Sequence, residues 1–394
     1  MQTLTRIASA GSTATAIAFG PARIGFGLFL PQFRESFSIS TSTAGLISSL
    51  GFAAFLLALG CSYKLIARTG PRVPIVCGMI AATFGLAAVA AAPNVVVLSI
   101  GICLASASAG FSWTPFNSTA QRLLYEDDRP EALSVISSGT AVGVLCAGLL
   151  ALSLVFFGYG WRVVWAFFAA GAAGAAIANF LALTDTVEPA GEASPCKWGE
   201  LATRSACPLY LVAFSFGLTN SIYVTFAADR VTEQGGLAGL PLQSSGAIVF
   251  AAYGALGLLG LLTARIKSAI GLPWLLRALN IGAALSIAII AWAPTSWGFV
   301  VVSAGMQGMF VMMISAVLSL WSERLFPDLP SLSFTTALWI TAVGNIAGPA
   351  IAGVTASAFG PVPMFFGAAA LALATSLLLT PGLIREKAST ATSV

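Results

Sequence analysis

Along the 394-residue chain, stretches of about 20 apolar residues alternate with short polar breaks twelve times. As a helix rising ~1.5 Å per residue, each stretch is long enough to cross the ~30 Å hydrocarbon layer of a bilayer. The approximate spans are 12–33, 43–63, 73–92, 95–121, 132–157, 162–183, 208–228, 244–264, 272–292, 297–321, 333–357 and 362–382. A strand barrel would need alternating segments of about ten residues, and stretches such as Ala81–Ala92 show no alternation. The pattern therefore predicts an all-α integral membrane fold of twelve transmembrane helices.

Composition points the same way. With 58% hydrophobic and 8% charged residues and a mean hydropathy of +0.92, a water-soluble fold would leave large apolar patches exposed. The few cations are distributed unevenly. Arg6, Lys64, Arg68, Arg72, Arg122, Arg129, Lys197, Arg204, Arg265, Lys267, Arg277, Arg324, Arg385 and Lys387 fall on one side of the spans, and Arg34, Arg162 and Arg230 on the other. By the positive-inside rule both termini are expected in the cytoplasm, with the chain in a bacterial inner (plasma) membrane. The net charge of +4 then reads as an insertion signal. No basic patch interleaved with aromatics suggests nucleic-acid binding. The first apolar run continues from Arg6 to Pro31, too long for a signal-peptide core of 7–15 residues, so it reads as a retained span. Cys61, Cys77, Cys103, Cys146, Cys196 and Cys207 form no C-x-x-C pair, so free thiols and neither metal nor cofactor are expected.

The one long polar interruption, Thr184–Cys207, carries Pro189, Gly191 and Pro195 and separates six spans from six. The expected division is a six-helix bundle over 1–183, a cytoplasmic loop over 184–207 and a second bundle over 208–394. Repetition supports it. Thr140-Ala141-Val142-Gly143 recurs as Thr341-Ala342-Val343-Gly344, 201 residues on, while Phe157-Gly158 recurs as Phe359-Gly360 and Arg122-Leu123 as Arg324-Leu325, each 202 residues on. The second half reads as a diverged copy of the first.

Arg23 is the residue with the sharpest chemistry. It sits near the middle of the first span, and no span carries Asp, Glu or His near its middle. A cation at mid-bilayer costs roughly 2.5–3.5 kcal/mol on insertion scales, so a solitary Arg in a water-lined cavity points to an anionic ligand. The competing reading is a structural Arg that caps carbonyls freed by Pro21 or snorkels to an interface. Pro21, with Gly20, Gly25 and Gly27 beside it, predicts a kink close to Arg23.

Parallel six-helix repeats about an axis normal to the membrane, with a substrate site near the midplane, are the architecture of the major facilitator superfamily. The whole chain resembles that superfamily in two pseudo-symmetric bundles. Arg23-Ile24-Gly25-Phe26-Gly27-Leu28-Phe29-Leu30-Pro31, followed by Ala44-Gly45-Leu46, resembles the first-helix pattern of its YbfB/YjiJ-type branch. Of the loop pattern G-x-x-x-D-R-x-G-x-R/K between the second and third helices, Arg68, Gly70 and Arg72 fit, whereas Tyr63 and Ala67 replace the leading Gly and the Asp. The fifth helix carries Gly139 and Gly143 but lacks the Gly-Pro step associated with drug/proton antiporters, although Gly348-Pro349 appears in the eleventh. Pro21, Arg68, Gly70, Arg72, Gly139 and Gly143 are thus the candidates for conformational roles.

On the helices that line the central cavity in that superfamily lie Trp113, Asn117, Asn220, Tyr223, Tyr253, Gln307, Trp339 and Asn345. Together with Arg23 these are the candidate substrate-binding residues. Asn and Gln could donate to a carboxylate, and Tyr and Trp could form a flat wall with one donor each. Each could instead bond between helices or anchor an interface. Trp113 and Asn117 share a helix face, and aligning Phe19-Gly20 with Phe216-Gly217 sets Asn220 opposite Arg23 in the repeat. Met306, Met309, Met312 and Met313 read as packing.

The expected activity is alternating-access transport of a small organic anion, a carboxylate, because one Arg matches one carboxylate whereas phosphates recruit several basic groups. All fourteen acidic residues lie in loops or at helix ends, with Asp229 and Glu35 at the outer ends of helices seven and one placed for a gating or solvated role rather than proton carriage. Exchange is therefore expected rather than proton coupling. The alternatives are export of neutral hydrophobic drugs or metabolites and, in another class, a membrane sensor. A sensor would show a soluble output module, and an enzyme a nucleophile with a base or metal. The expected partners are lipid and a small anion, and the expected state is a monomer.

Overall fold

The computed structural model describes residues 2–183 and 198–380 together with Gly382 and Ile384. Cys196, Lys197, Arg385, Lys387 and the 184–197 part of the polar interruption lie outside the described residues. In chain order the helices are α1 (Gln2–Phe19), α2 (Pro21–Leu28), α3 (Leu30–Phe37), α4 (Thr41–Thr69), α5 (Arg72–Ala90), α6 (Val95–Gly110), α7 (Trp113–Leu123), α8 (Arg129–Phe156), α9 (Trp161–Ala182), α10 (Trp198–Leu201), α11 (Cys207–Glu233), α12 (Ser244–Gly257), α13 (Thr263–Ile270), α14 (Leu272–Trp292), α15 (Trp297–Leu325), α16 (Pro330–Phe359) and α17 (Pro361–Leu378). Two 3-10 turns, Arg204–Ala206 and Leu258–Leu262, complete the helical structure among the described residues. Eleven stretches are long and apolar enough to cross a membrane, and a bent pair makes the twelfth crossing.

Local chemistry sets the boundaries. The Ser40 and Asn94 side chains accept hydrogen bonds from amides of the first turns of α4 and α6, meeting donors that have no partner within the helix. Between α6 and α7 the fourth span breaks at Phe111 and Ser112, and the eighth passes from α12 through the 3-10 turn into α13.

The first span differs from the expected kink. Thr3–Leu28 runs on a common axis, and the 50° bend falls after it, before Leu30–Phe37. At Pro21 the helix loses one donor, but the Gly20 amide still reaches the Ala16 carbonyl and the Ile24 amide the Gly20 carbonyl. At the bend, Phe29 caps α2 by donating to the Gly25 carbonyl, and Pro31 has no amide hydrogen to continue the ladder. The arm beyond, α3, is held by aromatic packing: Phe33 lies 5.0 Å from Trp161 and 5.8 Å from Trp165 between ring centroids.

Two six-helix bundles face one another, and their packing obeys the sequence repeat. In the first, α1 lies against α8, with Gly20 against Gly143; in the second, α11 lies against α16, with Gly217 against Thr341. Between bundles α4 packs on α16 and α8 on α12, again equivalent pairs. Small residues permit this approach: a Cβ on Gly254 would strike the Leu145 backbone, and one on Gly148 the backbone of Ala251.

The bundles are sealed at the end that carries Arg34. A Cβ on Gly27 would overlap the Val224 carbonyl. Ser48 Oγ and Thr225 Oγ1 lie 2.7 Å apart, Ser49 Oγ donates to the Ile346 carbonyl over 2.7 Å, and Gln32 Nε2 donates to the Gln243 carbonyl over 3.2 Å. Arg34 Nη1 pairs with the buried Asp229 carboxylate and reaches Glu233 Oε1 at 2.6 Å.

Removing Arg34 leaves the buried Asp229 carboxylate without this cation, at a cost on the order of 1–3 kcal/mol, between the ranges for exposed and buried pairs. Arg34→Ala is therefore expected to populate the state opened at this end several-fold more. The measurement is maleimide labelling of a cysteine placed at Gln32, which is buried within the seal, in a cysteine-free background. Labelling should rise in Arg34→Ala and fall back partly when Asp229→Asn is added.

Candidate functional site

The contacts that seal the bundles also set the depth of the residues below them. Gly27 meets Val224, and one helical turn further from the sealed end lie Arg23 on α2 and Asn220 on α11. The two helices run in the same direction, so Arg23 and Asn220 are level on opposite bundles. Helix α4 runs the other way, and one turn beyond the Ser48 contact with Thr225 comes Phe52. Arg23 stands eleven residues from Arg34, about 16 Å along the helix.

Arg23 is half-buried, and aromatic rings surround its guanidinium. The guanidinium carbon lies 4.4 Å from the Phe55 ring centroid and 5.3 Å from those of Phe19 and Phe52. These three side chains were missed by the sequence reading, which expected no partner at this depth. Their signal is spacing: Phe19 precedes Arg23 by four residues, and Phe52 and Phe55 share a face of α4. Each ring attracts the cation by about 0.5–2 kcal/mol without using a hydrogen-bond donor. No hydrogen bond to Arg23 forms among the described residues. The rings thus stabilise the charge while its N–H groups stay available to a ligand.

Across from this group the second bundle supplies a polar cluster. Tyr253 Oη and Gln307 Nε2 each donate to Asn220 Oδ1 over 3.4 Å, joining the seventh, eighth and tenth spans. Tyr253 lies within electrostatic range of Arg23. Asn220, Tyr253 and Gln307 are all buried. The cluster is therefore a buried polar group of the second bundle, level with the Arg23 guanidinium of the first.

The remaining candidates lie elsewhere. Trp113 is half-buried and packs in the apolar cluster that includes Phe19 and Phe55, so it backs the rings around Arg23. Asn117, one turn further along α7, is half-buried. The structure does not bring Tyr223 to the site: its hydroxyl lies 3.0 Å from Ser303 Oγ in the interior of the second bundle. Trp339 is 39% exposed with its ring near Gly60, beyond Phe55 toward the end opposite Arg34. Asn345 is buried with its amide against Gly217, one turn from Asn220. Its Oδ1, like Gln307 Oε1, is buried without a hydrogen-bond partner.

The conformational candidates also have definite places. Gly139 and Gly143 press against Ser12 and Ala16 of α1, so they hold the first span to the fifth inside one bundle. Gly70 ends α4 at φ 76°, in the left-handed region that favours glycine. Arg72 donates to the Phe180 carbonyl over 3.3 Å and stacks 4.8 Å from its ring. Arg68 closes the last turn of α4, and Pro21 opens α2 one turn from Gly25.

The family description Major Facilitator Superfamily matches residues 12–270. Among solved structures, a peptide transporter, POT, in complex with sulfate superposes with a TM-score of 0.80 at 13% identity, covering 97% of this chain and 95% of that one. The nucleoside transporter NupG gives 0.76 at 12% identity over 97% and 100% of the two chains. A bacterial homolog of the human lysosomal transporter Spinster, in an inward-facing and unoccupied conformation, gives 0.72 at 17% over 96% and 95%. At such identities the likeness establishes the fold alone. No curated protein matches this chain at the sequence level.

If the rings hold the Arg23 charge, their effect must vanish with it. Phe55→Leu is expected to lower the apparent melting temperature of the parent, and to lower it less in an Arg23→Met background. The double-mutant cycle should return a coupling of about 0.5–2 kcal/mol. Equal losses in both backgrounds would reduce the ring to packing.

Proposed function

Because the chain belongs to the Major Facilitator Superfamily, and is thus a multi-pass transport protein rather than an enzyme, we propose that it carries a small organic anion, a carboxylate, by alternating access with Arg23 as the binding charge. The observation that carries this reading is the state of Arg23: half-buried at mid-span, stacked on three phenylalanines and hydrogen-bonded to no described residue. A guanidinium is a planar fork whose edge matches a carboxylate with two parallel bonds, whereas its faces suit aromatic rings. Here the rings take up stacking and leave the fork to a ligand. A single cation suits a carboxylate better than a phosphate, which draws several basic groups.

Exchange follows from the placement of carboxylates. Those described cluster toward the ends of the spans: Glu35, Asp229 and Glu233 at the sealed end, and Glu126, Asp127, Asp128, Glu131, Glu200, Glu323 and Asp328 at the other. None of these described carboxylates lies at the level of Arg23 to take a proton there in place of the anion. A bound carboxylate neutralises the cation while the bundles rock, and the rings alone compensate it less. Return of the carrier is thus favoured when a second anion occupies the site.

The excess of Lys and Arg on one side supports an orientation in a bacterial inner membrane with both termini cytoplasmic, in which the sealed end with Arg34 faces outward. The working unit is a monomer, divided into bundles at 1–183 and 208–394 by the cytoplasmic segment 184–207. The run from Arg23 to Pro31 supports a place in the YbfB/YjiJ-type branch.

The test is thermal stabilisation of purified protein by a panel of monocarboxylates, dicarboxylates, inorganic anions and neutral drugs, with Arg23→Ala and Arg23→Lys in parallel. A ligand at 100 times its Kd stabilises the folded state by about 2.7 kcal/mol, a shift of a few degrees. One carboxylate class should stabilise the parent, weakly stabilise Arg23→Lys and leave Arg23→Ala unchanged. The same acid inside proteoliposomes should accelerate uptake of labelled acid. Stabilisation of parent and Arg23→Ala alike by neutral compounds would replace this reading with drug or metabolite export.

A further inference from the structure

We propose that the transported anion is a hydroxy-carboxylate, whose hydroxyl donates a hydrogen bond to Gln307 Oε1 while its carboxylate lies on Arg23. The inference rests on the carboxylate reading of Arg23 and names the second group the ligand must carry. Gln307 is fully buried on α15, and its Nε2 donates to Asn220 Oδ1, which also accepts from Tyr253 Oη. Because both donors converge on one Asn220 oxygen, Gln307 turns its own carbonyl oxygen away from them. That oxygen has no partner among the described residues.

A buried carbonyl without a donor is a standing penalty in the folded state. A ligand donor relieves it, whereas a plain alkyl carboxylate leaves it unmet. Both bonds to Asn220 measure 3.4 Å, at the loose limit for hydrogen bonds, so the amide can turn toward a ligand without losing a tight contact. Asn345 Oδ1, one turn from Asn220 across Gly217, is a second buried acceptor in the same condition. On the Asn220 cluster itself, Gln307 Oε1 is thus the acceptor left open, the complement of the donor fork on Arg23.

A hydroxyl fits this surface better than an ammonium group. An ammonium would bring a second positive charge close to Arg23 in a poorly screened environment. No described carboxylate pairs with Arg23 or with the Asn220 cluster to offset it.

The test compares matched acids on the full-length protein in proteoliposomes: lactate against propionate, and 2-, 3- and 4-hydroxybutyrate against butyrate, as competitors of uptake and as thermal stabilisers. The parent should prefer at least one hydroxy acid over its deoxy partner by about tenfold or more. In Gln307→Leu that preference should collapse to near parity, with an unchanged helical circular-dichroism spectrum and monodisperse elution reporting an intact fold, and with residual butyrate binding still lost on adding Arg23→Ala. If hydroxy and deoxy acids bind the parent alike, and binding still requires Arg23, the hydroxyl assignment falls and the carboxylate reading stands. Persistence of the preference in Gln307→Leu, or stronger binding of 2-aminobutyrate than of any hydroxybutyrate, also overturns it. If no acid binds and Arg23→Ala changes nothing, both readings fall together.

Discussion

A guanidinium effectively never gives up its proton in a protein, so a chain that places one at mid-bilayer must keep it charged and must keep it compensated. The arrangement around Arg23 follows from that constraint. Phe19, Phe52 and Phe55 supply attraction through their faces, which lowers the cost of the charge without occupying its donors. An acidic side chain in their place would pair with Arg23 and compete with any anion. Aromatic compensation is the form that stabilises the resting protein and still leaves it something to bind.

The same first span reaches the sealed end through a bend. Its long segment carries Arg23, while α3 beyond the bend carries Arg34 into contact with Asp229 and Glu233. Site and seal are thus two ends of one element. Opening at Arg34 requires α2 and α3 to part from α11, and α11 also carries Asn220. Separation at the seal therefore changes the distance between the cation and the polar cluster, which links ligand occupancy to closure by geometry alone.

Much of the fold was legible because its determinants are periodic or additive. Apolar length marked the crossings, and the repeat of Thr140–Gly143 at Thr341–Gly344 reappears as equivalent packing in the two bundles. Arg23 was legible as a candidate because a mid-span charge is rare, and Asn220 because the repeat set it opposite. The rings around Arg23 were not, since 26 phenylalanines occur in the chain and nothing local separates a ring facing a cation from one facing lipid. The bend was misplaced for a related reason. Pro21 and Pro31 look equally disruptive in sequence, but only at Pro31 does a following arm have its own aromatic anchorage, in Trp161 and Trp165. The place of Tyr223 was not legible, because its hydroxyl meets Ser303, eighty positions away, a pairing that no local pattern announces.

The three rings around Arg23 belong to the first bundle, and the Asn220 cluster level with it belongs to the second. On the proposed reading, recognition is divided between the two bundles: one identifies charge, the other identifies the rest of the cargo. Substitutions at Asn220, Tyr253 or Gln307 would on that reading alter which acid is accepted without disturbing the rings that hold the cation. A gene lineage built on this plan could explore new cargoes in one half while the other remained under purifying constraint.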